Sequence, residues 1–234
     1  MVKIKYTGGR KPNFMPALDL LPASWRIVHQ NFITVAELLL IPLLVSTVAY
    51  MLFRTPAEVA SLQAAAKDPT MPIHIGPGIL ASSIASLVAS VAIGPPLAYT
   101  LIRGAKNKRT DIWPAILATR RFYVRYIGLL LVVTIAFILG ALLIVPAFFV
   151  LQRFILTPYY LIDRDLSIKQ ALLTSNNEAR QSGWAIWQLL LMIGVIIVIA
   201  YTPTIGTIMS LVLGFVFAAA PALRYKELTD AKFS

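Results

Sequence analysis

Six apolar runs constrain what this chain can fold into: residues 32–53, 78–102, 127–145, 147–162, 184–200 and 204–223, each 16 to 25 residues long. A bilayer core about 30 Å thick takes about 20 apolar residues in helical form. Four of the runs approach or exceed that length, whereas 147–162 and 184–200 fall short of it. A transmembrane β-barrel would instead alternate apolar and polar residues over stretches of about ten. The expected fold is all-α, a polytopic membrane bundle of six transmembrane helices. With 58% hydrophobic residues, 13% charged residues and a mean hydropathy of +0.76, little chain remains for a separate soluble catalytic domain.

Charge predicts the orientation, because cytoplasmic loops carry an excess of Lys and Arg. The stretch before the first run holds Lys3, Lys5, Arg10, Lys11 and Arg26, and the 103–126 loop holds Arg103, Lys106, Lys108, Arg109, Arg120, Arg121 and Arg125. Arg164, Lys169 and Arg180 follow in the 163–183 loop, and Arg224, Lys226 and Lys232 at the C-terminus. The alternate connections carry only Arg54 and Lys67, so the split is 18 against 2 and both termini are expected in the cytoplasm. A one-sided net charge of +11 suits anionic lipid headgroups, each Lys or Arg near such a surface being worth about 1 kcal/mol. A nucleic-acid partner would need clustered basic and aromatic residues on a soluble module, and none is expected. The first 31 residues lack a compact apolar core with a small-residue cleavage site, so no cleaved signal peptide is expected.

The Leu triplets 38–40, 129–131 and 189–191 align into a threefold pattern. Upstream of each lies a stretch with apolar residues at near-helical spacing: Pro22, Trp25, Ile27, Val28 and Phe32; Ile112, Trp113, Ile116, Leu117, Phe122 and Tyr126; Ile168, Ala171, Leu172 and Trp184. Such stretches suit amphipathic helices lying in the cytoplasmic interface. Pro22 fits a first helical turn, and Thr110-Asp111 and Ser167 fit helix caps. The chain thus divides into a basic tail over 1–17, one membrane domain over 18–224 and a tail over 225–234. Within the domain, three units (about 18–103, 110–162 and 167–224) each pair an interfacial helix with a transmembrane hairpin. Pro146 and the Tyr201-Thr202-Pro203-Thr204 step predict tight hairpin turns, while 54–77 forms a longer outer segment.

Ser82, Ser86, Ser90 and Gly94 recur every four residues in the second run, as do Gly206, Ser210, Gly214 and Ala218 in the sixth. Small residues at this spacing let helix backbones approach closely. The expected use is packing within the chain, with these two helices against each other as one arrangement and a second copy of the chain as another.

Catalytic patterns do not emerge: no zinc-type His-Glu motif, nucleophile elbow, phosphate loop or carboxylate pair on one helix face. Without cysteine there are no disulfides or thiolate sites, and no metal or other cofactor is expected. His29 reads as solvated beside Arg26, His74 falls in the outer segment, and Asp163-Arg164-Asp165 reads as a solvated turn before a helix start. Glu37 and Arg153 fall inside apolar runs, and charge within a membrane marks a candidate functional position. Arg153, soon after Pro146, is expected in the outer half of its span. With the Gly94-Pro95-Pro96 step read as a helix break, these two residues also motivate a small-solute transporter or channel.

Residues 151–163 read Leu-Gln-Arg-Phe-Ile-Leu-Thr-Pro-Tyr-Tyr-Leu-Ile-Asp, and Leu166-Ser167, Ala171-Leu172, Ser175 and Gly183-Trp184 follow. This pattern resembles bacterial membrane proteins grouped with the membrane domain of glycerophosphodiester phosphodiesterases and their YciC-like relatives. Ser24-Trp25-Arg26 to Asn31-Phe32 fits more loosely. The resemblance implies a multi-pass scaffold of a prokaryotic cytoplasmic membrane, with Arg153 and Pro158 as matched positions. It implies no hydrolase activity, which in that family belongs to a separate soluble barrel. The expectation is a non-enzymatic scaffold or accessory protein. Its basic face, Lys106, Lys108, Arg109, Arg120, Arg121 and Arg125, would engage anionic lipid or a protein partner.

Overall fold

A computed structural model describes residues 14–230 except 69, 73, 143–144, 201 and 203–205. Lys3, Lys5, Arg10, Lys11, Lys232 and most of the Tyr201–Thr204 turn lie outside the described residues. The described chain is helical throughout: α1 (Leu20–Gln30), α2 (Phe32–Phe53), α3 (Pro56–Lys67), α4 (Pro77–Ala105), α5 (Ile112–Thr119), α6 (Tyr123–Ala141), α7 (Val145–Phe154), α8 (Thr157–Asp163), α9 (Ile168–Gln181), α10 (Gly183–Ala200), α11 (Gly206–Phe217) and α12 (Ala220–Asp230). A 3-10 turn, Arg120–Phe122, joins α5 to α6.

Five segments are long and apolar enough to cross a membrane: Phe32–Phe53, Pro77–Ala105, Ile112–Ala141, Gly183–Ala200 and Ile208–Asp230. The fourth apolar run departs from the expected six, because it is split into the short helices α7 and α8. Pro158 explains the break: it brings no N–H, and its ring would clash with the carbonyl of Phe154 in a continuing helix. The Gly94-Pro95-Pro96 step does the opposite of what its sequence suggests, since α4 runs through it unbroken. Pro96 leaves the carbonyl of Ala92 without its helical donor, and the Tyr123 hydroxyl of α6 donates to that oxygen at 2.8 Å. Gly94 gives α6 the room to do so, since a methyl group there would lie 2.6 Å from Tyr126 Cζ.

Neighbouring helices pair, α2 on α4, α6 on α7 and α10 on α11. The buried core lies elsewhere. Only 11% to 33% of the most apolar window of each segment is buried, whereas Val28, Leu101, Phe122, Leu161, Ala171 and Tyr225 form one cluster where the helices meet the basic loops. This is called the basic end below. Here α1 packs on α11 and α12, α5 on α4, and α9 on α7 and α8, while α4 also packs on α8 and α12. Each short leading helix therefore lies against the returning helix of a different unit. Buried polar bonds stitch the layer: the Ser24 hydroxyl of α1 accepts from the Ala219 amide at 3.1 Å, and the Ser175 hydroxyl of α9 donates to the Arg153 carbonyl at 2.6 Å. Ser167 caps α9 through a capping box with Gln170, as its sequence predicts.

At the opposite end, Thr55 and Glu58 form a capping box on α3. The Glu58 carboxylate is buried and also accepts from the amides of Gly78 (3.2 Å) and Ile79 (3.0 Å) in the first turn of α4. The Ile79 amide, with help from Thr55 and Gly78, outweighs the opposing effect of burial and holds the carboxyl at about 2. Glycine at 76 leaves room for this carboxylate, since a methyl group there would lie 2.6 Å from Glu58 Cδ and force it to shift.

Candidate functional site

The 103–126 loop, richest in basic residues, starts from a well-defined turn. Asn107 takes a left-handed conformation (φ 57°), and the amides of Lys108 and Asn107 donate to the carbonyls of Arg103 (2.9 Å) and Gly104 (2.9 Å), closing a Schellman cap on α4. The turn sends Lys108, Arg109 and Thr110 back toward the junction of α1 and α2. There the Asn31 side chain accepts from the Thr110 amide at 3.1 Å and donates to the Ile27 carbonyl at 3.3 Å. Gly104 permits this approach, since a methyl group on it would lie 2.5 Å from Ile27 Cγ2 and 3.0 Å from Asn31 Nδ2. Asp111 sits at the N-cap position of α5 but makes no side-chain cap bond, and Thr110 serves Asn31 instead.

The six basic residues of the proposed contact face divide into two groups. Lys106 pairs with Asp163 at 2.6 Å, and Arg121 and Arg125 pair with Asp165 at 3.3 and 2.7 Å. Lys108, Arg109 and Arg120 are exposed, and among the described residues no carboxylate lies within ion-pair distance of them. The Asp163-Arg164-Asp165 step is the exposed link before a helix start that its sequence predicts, and its two carboxylates also form these ion pairs. Asp163 also accepts from the buried Tyr225 hydroxyl at 2.7 Å, joining the ends of α4, α8 and α12. Asp165 adopts φ 49°, which Asp tolerates better than most residues, and so holds its carboxylate between two arginines.

A second charged cluster joins the two ends of the described chain. Arg224 is fully buried, pairs with Glu227 at 2.6 Å and donates to the Met15 carbonyl at 3.0 Å, while Glu227 accepts from the Met15 amide at 3.0 Å. The guanidinium also lies 5.7 Å from the Phe14 ring centroid. Removing either partner from such a pair leaves a charge stranded, the costly case for buried ions. Arg224 entered the charge count above without any sign of this role.

Among the described residues, neither charge within an apolar run gathers polar side-chain partners. Glu37 is exposed near the start of α2, and no ion pair with Arg125 or Arg180 forms among the described residues. Arg153 lies in the last turn of α7, with its carbonyl bonded to α9, so it belongs to the basic end rather than the outer half. The small-residue faces also separate. Ser82, Ser86 and Gly94 are half-buried and Ser90 exposed on α4, whose main packing partner is α2 rather than α11. On the sixth run Gly206 is buried against Thr202, Ser210 and Ala218 are half-buried, and a methyl group on Gly214 would meet no neighbouring helix within 4 Å.

No family model matches this chain, and neither does any curated protein or solved structure. The resemblance drawn above rests on the residues quoted for it.

Proposed function

We propose that the protein is a non-enzymatic membrane scaffold or accessory component whose basic end faces the cytoplasm and engages anionic lipid headgroups or a protein partner. The observation that carries this reading is the exposure of Lys108, Arg109 and Arg120, with no carboxylate within ion-pair distance among the described residues, beside the best-packed layer of the fold. A rigid layer holds charges in register, and largely unburied apolar helices give it an anchor. Topology supports the same reading. α7 packs on α6 and ends beside α9, so α7 and α8 together serve as a kinked sixth crossing. Six crossings in three hairpins would keep both ends of the described chain on one side, in keeping with the contact of Met15 with Arg224 and Glu227.

The test is native mass spectrometry of the full chain from mild detergent, with phosphatidylglycerol and phosphatidylethanolamine offered in equal amounts. Preferential retention of phosphatidylglycerol, lost on charge reversal at Lys108, Arg109 and Arg120, is expected. Equal retention of the two lipids, with no co-purifying protein, would remove this reading.

A further inference from the structure

The junction of α1 and α2 opens a cleft of about 290 Å³ lined by His29, Asn31, Phe32, Thr34, Arg109 and Thr110 among others. Three features make it more than a gap between helices. First, α2 is a 22-residue helix whose N-cap residue, Asn31, spends its side chain on Ile27 and Thr110 rather than on capping. The first bond within α2 is Val35 to the Asn31 carbonyl, and among the described residues nothing accepts from the amides of Phe32, Ile33 and Thr34. All three residues line the cleft, at the positive end of the helix dipole. Second, Thr110 is only 8% exposed, yet among the described residues its hydroxyl has no hydrogen-bond partner. A buried hydroxyl left unpaired at a cleft is an unmet demand for a ligand oxygen. Third, Arg109 brings a guanidinium to the same lining, and it is one of the basic residues free of carboxylates within ion-pair distance among the described residues.

Free amides, an orphaned hydroxyl and a guanidinium together match a phosphate oxygen cluster. Asp111 also lines the cleft and narrows the choice. Its negative charge disfavours a dianion, leaving Arg109 and the helix end to balance a single negative charge. A phosphodiester carries one charge where a phosphate monoester approaches two. The neighbouring surface is apolar, with Phe32 48% and Ile33 72% exposed where α2 begins its membrane segment. The geometry points to a binding site for the phosphodiester group of one phospholipid, its phosphate on the Phe32–Thr34 amides, Thr110 and Arg109, its tails running along α2. This rests on the lipid-engaging reading of the basic end and assigns it a single built site.

The experiment is lipid binding to the full chain in mild detergent, read by native mass spectrometry, with four probes: phosphatidylglycerol, phosphatidylethanolamine, diacylglycerol and deacylated glycerophosphoglycerol. Thr110→Val keeps size and the amide bond to Asn31, and Arg109→Ala lies on an exposed side chain, so thermal melting serves as the folding control. One tightly held phospholipid is expected, with diacylglycerol at background and each variant weakening retention about tenfold, the effect of losing one hydrogen bond to a charged group. Asp111→Asn is expected to tighten it. Unchanged retention in folded Thr110→Val and Arg109→Ala overturns the site, even where phosphatidylglycerol is still preferred overall. Loss in those variants with equal retention of the two phospholipids upholds the site while removing the anionic preference. Glycerophosphoglycerol competing as well as the intact lipid overturns the lipid as source and assigns the cleft to a soluble diester.

Discussion

Asp163 offers the sharpest test of what holds the basic layer together. It makes two contacts of different kinds, a 2.6 Å pair with Lys106 and a 2.7 Å bond from the Tyr225 hydroxyl. The Lys106 side chain is 43% exposed, and an ion pair so open to water contributes about 0–1 kcal/mol. Tyr225 is 1% exposed, so removing its acceptor strands a buried hydroxyl at about 1–3 kcal/mol. The hydrogen bond therefore outweighs the ion pair. Asp163→Ala should cost about 2–3 kcal/mol, whereas Asp163→Asn keeps an oxygen for Tyr225 and should cost less than about 1 kcal/mol. For a chain of this length each kcal/mol lowers the melting temperature by about 2–4 °C, so the alanine variant should melt roughly 4–12 °C lower. The assay is thermal unfolding in detergent micelles followed by near-ultraviolet circular dichroism of the aromatic side chains. An asparagine variant that falls as far as the alanine variant would refute the reasoning, because charge and not the phenol bond would then dominate.

Tyr123→Phe removes the donor to the Ala92 carbonyl and should cost about 0.5–1.5 kcal/mol in the same assay; no loss would mean that the Pro96 gap is filled in another way. Glu58 binds its proton less readily folded (about 2) than unfolded (about 4.3), so its stabilisation is complete above the unfolded value and is lost as pH falls through the folded one. Protease protection of the 54–77 segment should accordingly hold between pH 7 and pH 5 and decline toward about pH 2, and Glu58→Gln should abolish that decline. The chain has no cysteine, so single replacements at Lys108, Asp230 and Gln63 can be labelled by membrane-impermeant reagents. The first two should react from the cytoplasmic face and the third from the other, and reaction of all three from one face would contradict the topology.

Periodicity was enough to read five of the apolar segments, the leading helices and the cap at Ser167, because each depends on neighbours a few residues away. The break at Pro158 and the continuity at Pro95-Pro96 could not be told apart by local rules. Both steps remove helical donors, and what differs is that Tyr123 lies across from one of them. The site residues were legible only as charges. Lys106, Arg121 and Arg125 look like Lys108, Arg109 and Arg120 until the fold brings Asp163 and Asp165 to the first three. Thr110 read only as part of a helix cap, and its bond to Asn31 gave no signal, since a side chain bridging 79 residues follows no period. One available clue was missed: Tyr99-Thr100-Leu101-Ile102 and Tyr159-Tyr160-Leu161-Ile162 share a pattern, and both lie in returning helices that meet at the basic end.

The reciprocal packing of leading and returning helices has a consequence for synthesis. α5 and α9 find their partners, α4 and α8, already made when they emerge. α1 does not: its contacts to Ala219, Arg224 and Glu227 reach across 195 to 212 residues from Ser24 and Met15. At about 5–20 residues per second, the first helix waits roughly 10–40 seconds for the last. During that interval Leu20 lacks Phe217 and Ala220, the residues it is buried against. The ring closes only once α12 has been made, so a nascent chain lacking α12 holds its apolar helices without the clasp that ties the first to the last.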